Sequence, residues 1–283
     1  MGASRLPESL IRGETVIGTK LVEELVQSVA LSHRVKGFPR ASLLMLAAPE
    51  SGKTTIATAA NCPHVRPIAI MSGRSILREV NHTPATEFLL FNDLTMIRAL
   101  SQSASNLLIG MLNQLTQDER GAVAFAGKEV EEIKREVGII GCLTFRTFID
   151  HRARWKEMGF ISRMIPFAYQ YGHELIAEIK DAIDTGTHSA KKRPGACMPR
   201  ARQQPITIDM SPELIKSMRR LSDARAADLG QLGIRLLRNY HVLIRAHALR
   251  DGRSYVTQDD LRFLRAVDSY VSITACKPLT GKD

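Results

Sequence analysis

Residues 43–60 read LLMLAAPESGKTTIATAA, and this stretch decides between an ordinary buried segment and a loop built to hold phosphate. Leu43 to Ala48 form a continuously apolar run ended by Pro49, the pattern of a short strand buried on both faces. Residues 47–54 approach the spacing G-x-x-x-x-G-K-[ST], except that Ala47 stands where the leading glycine belongs. In such a loop Gly52 lets the backbone come close to an anion and Lys53 brings a point charge to the β- and γ-phosphates. The hydroxyl of Thr54 is suited to ligate Mg²⁺. The glycine missing at 47 would ease the turn out of the strand but would give no phosphate-binding side chain, and Pro49 stiffens the loop instead. Pro49, Glu50, Ser51, Gly52, Lys53, Thr54 and Thr55 are therefore the expected nucleotide-binding set.

A cation on the phosphates calls for a carboxylate from a neighbouring strand, and the attacking water must be oriented. FLLFND, residues 88–93, offers four apolar residues followed by Asn92 and Asp93. The usual ending is two acids, so Asn92 is a departure. Either Asp93 serves the metal alone, or Asn92 polarises the Mg²⁺ shell while Asp93 orients water. The competing reading makes Asp93 the cap of a helix that begins near Thr95.

Working outward, apolar runs at 65–71, 87–94, 137–143 and 160–171 read as further strands. Helical spacing separates several of them, first in 18–35 and again in the single long pattern of 96–115. Strands alternating with helices predict a parallel sheet covered on both faces. Residues 184–205 are rich in Gly, Pro, Ser and basic side chains, so 186–204 reads as a linker or loop. Beyond it, 211–225, 229–250 and 257–272 are helical, with Ser211 and Thr257 as N-caps and Asp260 completing a variant capping box. The expected layout is an α/β core over 1–185 and an all-helical domain over 205–283.

The 283 residues can bury roughly 75% of their unfolded surface. Cys62, Cys142, Cys197 and Cys276 form no CxxC pair, which argues against a zinc site or a disulfide framework and fits a reducing, intracellular setting. No run approaches the length of a membrane span, and the first residues lack an export h-region, so a cytoplasmic protein is expected, or a nuclear one in a host with a nucleus. The eight histidines show no HExxH spacing, and no G-x-S-x-G elbow is present. Charge is uneven. Residues 1–185 carry 21 Lys and Arg against 20 Asp and Glu, whereas 186–283 carry 18 against 9. A basic last third suits a polyanion such as DNA, and Lys191, Lys192 and Arg193 are the densest cluster in the linker.

In this order the motifs resemble the AAA+ ATPases, a branch of the P-loop NTPase superfamily, and the last third is similar to the lid of minichromosome maintenance helicases. The resemblance covers about residues 18–272. It rests on the phosphate loop, FLLFND, GIIGCLT (138–144), GFISRMIPF (159–167) and the helical stretch 234–261. It implies that Thr144 takes the sensor-1 position that helps hold the attacking water, where Asn is usual. It implies that Arg163 reaches the γ-phosphate of a neighbouring subunit, and that Arg235, twelve residues before His247, is the lid arginine called sensor 2. Each arginine also has a plainer reading, Arg163 as a surface ion pair and Arg235 as one of several arginines on its helix, beside Arg238 and Arg245. The function implied is an oligomeric, Mg²⁺-dependent, ATP-hydrolysing motor, loader or regulator acting on DNA, assembled as a ring or filament, with a protein partner supplying specificity. The alternatives are a protein-remodelling ATPase and a slow nucleotide switch.

Other segments carry less. KEVEEIKRE (128–136) mixes signs at helical spacing and is expected to be a solvated helix face, with RGAVAFAG (120–127) a hairpin or insert before it and Lys128 a candidate pore residue. HRARWKEMG (151–159) offers Arg152, Arg154, Trp155 and Lys156 as a basic patch with one aromatic, suited to a subunit interface before a stacking platform.

Overall fold

The computed structural model describes residues 18–59, 62–68, 72–117, 122–124, 130–185, 204–231 and 233–279. In chain order the elements are α1 (Lys20–Leu31), β1 (Leu43–Ala47), α2 (Lys53–Ala59), β2 (Val65–Ile68), α3 (Gly73–His82), β3 (Phe88–Phe91) and α4 (Gln102–Leu115). A short hairpin comes next, β4 (Ala122–Ala124) and β5 (Val130–Glu132), then β6 (Gly138–Thr144), α5 (Phe145–Glu157), β7 (Ile165–Tyr171) and α6 (His173–Asp184). Three helices, α7 (Pro212–Leu229), α8 (Ile234–Arg250) and α9 (Gln258–Asp268), precede a last strand, β8 (Lys277–Leu279).

Six strands make one parallel sheet in the order β2-β3-β6-β1-β7-β8, flanked by helices. Its centre is β1, whose five residues are all buried because both faces are covered. A fully buried Leu there contributes about 1.5–3 kcal/mol, so a charge at Leu44 would not be tolerated. β6 can lie against β3 because Gly138 has no side chain: a Cβ there would fall 2.3 Å from the Phe88 ring. From β1 the chain leaves towards β2 at one edge, while from β7 it leaves for the C-terminal helices and returns as β8 at the other. Connections thus diverge between β1 and β7, and ligands of open parallel sheets sit at the carboxyl ends of strands at such a point.

Several expectations need correction. The segment 205–283 is not wholly helical. After α9 the chain folds back on the sheet, with Ala168 N–H donating to Tyr270 O (2.9 Å), Ser272 N–H donating to Pro166 O (3.0 Å), and β8 pairing with β7. Nor is it set apart from the core, since α8 packs on α1 and Lys36 N–H donates to Ile206 O at 2.9 Å. Residues 130–132 are a strand, not a helix face. Paired with β4, β5 turns Glu131 onto α3, where Arg74 (2.9 Å) and Arg78 (3.2 Å) meet its carboxylate. Of the hairpin or insert expected over 120–127, only β4 falls in that segment; its partner β5 lies beyond it, and Lys128 lies outside the described residues. Trp155 belongs to the core: it is 1% exposed and packs edge-on to Phe160 and Phe148, with His151 stacked on it. It is no stacking platform. The long helical pattern of 96–115 is broken at Ser101, whose hydroxyl caps α4, and the preceding residues Leu94–Ala99 wind as a 3-10 helix.

The C-terminal caps form as read. Ser211 Oγ accepts from Leu214 N–H at 3.4 Å, and Thr257 with Asp260 makes a reciprocal capping box. Among the described residues Cys62, Cys142 and Cys276 are free thiols, and no helix is long and apolar enough to cross a membrane. Cys197, Lys191, Lys192, Arg193 and nearly all of the 186–204 linker lie outside the described residues.

Candidate functional site

The loop 48–52 leaves β1 at the carboxyl edge of the sheet. Glu50 holds a left-handed φ of +60°, and Gly52 one of +71°. For a residue with a Cβ this costs about 1–2 kcal/mol, which surrounding contacts must offset. They are dense here. Ser51 is buried, its hydroxyl donates to Ala48 O at 2.7 Å, and its carbonyl accepts from the Tyr169 and Tyr171 hydroxyls of β7. The first helical bond of α2 forms at once, from Ile56 N–H to Gly52 O at 2.9 Å.

Lys53 folds back over the loop. Its Nζ donates to Ala47 O at 3.2 Å, to Ser51 Oγ at 3.0 Å and to Ala48 O. Burial pushes the Lys53 pKa down, against the opposing pull of the Asp93 carboxylate. The two nearby thiols stay protonated, as burial raises Cys142 to about 12 and Cys276 to about 11. The next residue, Thr54, crosses to the neighbouring element: its hydroxyl donates to Asn92 O at 3.3 Å. Thr55 and Glu50 are exposed at the rim, with Pro49.

Asn92 and Asp93 therefore meet the loop, as their place after β3 suggested. Asn92 Oδ1 is buried and accepts no hydrogen bond among the described residues. Asp93 is exposed, and its Oδ1 accepts from Thr95 N–H at 2.8 Å and from the Thr95 hydroxyl, so it does cap the 3-10 helix Leu94–Ala99. Thr144 lies level with Ala47 in the sheet. Its hydroxyl is occupied with its own helix, donating to Thr147 Oγ1 at 2.8 Å and accepting from Thr147 N–H at 3.3 Å.

Arg163 and Arg235 are elsewhere. Arg163 ends a 3-10 turn, Ile161–Arg163, at the amino end of β7. Its Nη1 donates to Gly159 O at 2.6 Å, while its Nε is buried with no acceptor among the described residues. Arg235 Nη1 donates to Ser162 Oγ at 2.8 Å, next door. Burial, and then the charge of Arg235, lowers the Arg163 pKa. Both line a cavity of ≈ 230 Å³ with Arg40, Arg238, Asn239 and Gln117. Arg40 is held by Glu87 and Glu136. Asn239 is 6% exposed, and its Nδ2 has no acceptor among the described residues. Arg40 precedes β1 and Arg163 precedes β7, so this cavity opens at the amino ends of the strands. The length of β1 alone, at about 3.3 Å per residue, sets it roughly 16 Å from the loop.

The predicted residues thus fall into two groups at opposite ends of one sheet. Asn239 and Arg40 were not singled out from sequence, and Arg238 was named only as a neighbour of Arg235 on its helix. Asn239 sits four residues after Arg235 on one helix face, which is a usable signal, but Arg40 carried none. Tyr169 and Tyr171 were also passed over, although their i, i+2 spacing on a strand puts both on one face. Compared with known proteins, the chain matches no family model and no curated protein.

Proposed function

We propose that the chain is an ATP-binding, Mg²⁺-dependent ATPase of the AAA+ kind, with an active site completed by a second copy. The observation that carries the reading is the meeting of Gly52, Lys53 and Thr54 with Asn92 and Asp93 where connections diverge between β1 and β7. The residues fit a nucleotide with its cation. Lys53 Nζ rests on three loop oxygens that phosphate oxygens can replace, and Asn92 Oδ1 is a buried acceptor in want of a donor such as a metal-bound water. Mg²⁺ held there would supply charge neutralisation at the phosphates. Lys53 holds the β- and γ-phosphates and Thr54 with Asp93 holds the cation, while Pro49, Glu50, Ser51 and Thr55 shape the loop. Asn92 and Thr144 orient water, Thr144 by releasing its Thr147 bond.

Arg163 and Arg235 cannot serve the loop of their own chain from the far end of the sheet, which supports a ring or filament in which they face the next copy's nucleotide. Arg163 then stabilises charge on the transferring group, and Arg235 holds its place through Ser162. The helices α7, α8 and α9 act as the lid. The excess of basic residues after 185 supports DNA as the substrate of the assembly, with a protein partner giving specificity. A second reading, a switch that assembles on ATP and hydrolyses it slowly, is favoured by one observation: the Asp93 Oδ1 is committed to Thr95.

The test is binding of labelled ATP, followed by ATPase rate with single- and double-stranded DNA across a salt series. Wild type is expected to bind and Lys53→Ala not to. Equal binding by the variant refutes the site. Stimulation by DNA that fades steeply with salt supports the DNA role, and indifference to DNA at every salt turns the reading to protein remodelling.

A further inference from the structure

The oxygen of Ser51 accepts two phenols from a single strand, Tyr171 OH at 2.8 Å and Tyr169 OH at 3.1 Å. Tyr169 is fully buried, and Ser51 is 4% exposed. Burial raises both phenols, Tyr171 to about 12 and Tyr169 further, so both protons are present to donate at any physiological pH. Packing alone does not account for this pairing, since phenylalanine would fill the same volume and a buried hydroxyl must be satisfied.

The planarity of the peptide unit gives this pairing a consequence. Ser51 C=O and Gly52 N–H belong to one trans peptide and point in opposite directions. Fixing the oxygen against β7 therefore fixes the Gly52 N–H on the side away from β7. That N–H has no acceptor among the described residues. The residues on either side of Ser51, Glu50 and Gly52, both hold positive φ, and the freedom of a glycine at 52 lets this peptide turn unless it is held.

We infer that Tyr169 and Tyr171 are positioning residues for the phosphate loop: their two hydroxyls lock the Ser51–Gly52 peptide so that the Gly52 N–H is presented to a phosphate oxygen. The inference rests on reading this loop as a nucleotide site. It gives the chain a support for the loop from β7, the strand beside β1, whose last residue Ala47 stands where a leading glycine is lacking. No bond forms or breaks at either tyrosine. Removing one hydroxyl leaves the other in place, and removing both frees the peptide to rotate.

The experiment compares Mg·ATP affinity in wild type, Tyr169→Phe, Tyr171→Phe and the double variant, using ¹⁵N-labelled protein so that the Gly52 amide is followed in the same titration. Each single change is expected to weaken affinity about 2–10-fold and the double change about 10-fold or more. In wild type the Gly52 amide proton moves downfield on Mg·ATP binding, and in the double variant this movement is lost or reduced. Circular dichroism and the ligand-free melting temperature show whether the variants are folded. Tyr171→Phe, at the less buried ring, carries the test if the double variant is not. Folded variants that bind Mg·ATP as wild type does, with the same Gly52 shift, overturn the inference and leave the nucleotide site standing. Wild-type protein that fails to bind Mg·ATP overturns both.

Discussion

Asp93 follows β3 with its Oδ1 bonded to the backbone and hydroxyl of Thr95, and asparagine at this position keeps that cap while removing the charge. Asp93→Asn is therefore expected to leave folding and ATP binding intact and to lower the hydrolysis rate about 10²-fold, because cation and water lose their carboxylate together. Turnover measured at saturating Mg·ATP decides: an unchanged rate reduces Asp93 to a cap. Asn92→Asp is expected to raise turnover or leave it unchanged. At this scale the sequence was informative wherever the candidate site joins near neighbours. Gly52, Lys53 and Thr54 follow one another at the end of the loop, and Asn92 and Asp93 come directly after a buried strand. It was silent where contact joins distant positions. Tyr171 meets Ser51 across 120 residues, and Arg235 meets Ser162 across 73. No periodicity links them.

Among the elements, α8 and α9 are joined by a buried polar network. Asp260 is fully buried in the capping box of α9, accepts from His247 Nδ1 of α8 at 2.6 Å, and takes two bonds from Arg253 at 2.6 and 2.7 Å. Burial alone would raise its pKa, but Arg253 and His247 overcome this and hold the carboxyl well below the usual range. Its contribution to stability is thus complete at neutral pH and is lost only as pH falls through that depressed value. Asp260→Asn is expected to cost about 3 kcal/mol, since it leaves the Arg253 guanidinium without its charge partner. Thermal melts at pH 7 read this as a fall of roughly 6–12 °C, and a shift under 2 °C contradicts the role given to the network. The capping box was legible because Thr257 and Asp260 are three residues apart. The hairpin was not: VEE has the composition of an exposed helix, and strand pairing with β4 together with the hold of Arg74 and Arg78 on Glu131 outweighs that local preference.

For the whole molecule, alternating apolar and helical segments foretold a parallel sheet, because burial on both faces leaves continuous apolar runs. Strand order and the return of β8 did not emerge from pattern. KPL at 277–279 is too short and too polar to read as a strand, and only its pairing with β7 makes it one. The separation of the loop from Arg163 could not be read from motifs either, and the proposed assembly rests on it. The decisive measurement mixes two variants. Lys53→Ala supplies a wild-type arginine and Arg163→Ala a wild-type loop, and random mixing in equal amounts makes about a quarter of the head-to-tail interfaces complete. Each variant alone is expected to be inactive, with Arg163→Ala still binding ATP, and the mixture is expected to recover about a quarter of wild-type ATPase activity if completed interfaces act independently. A mixture that stays inactive at every ratio, or an Arg163→Ala protein that hydrolyses ATP unaided at the wild-type rate, contradicts a site shared between copies.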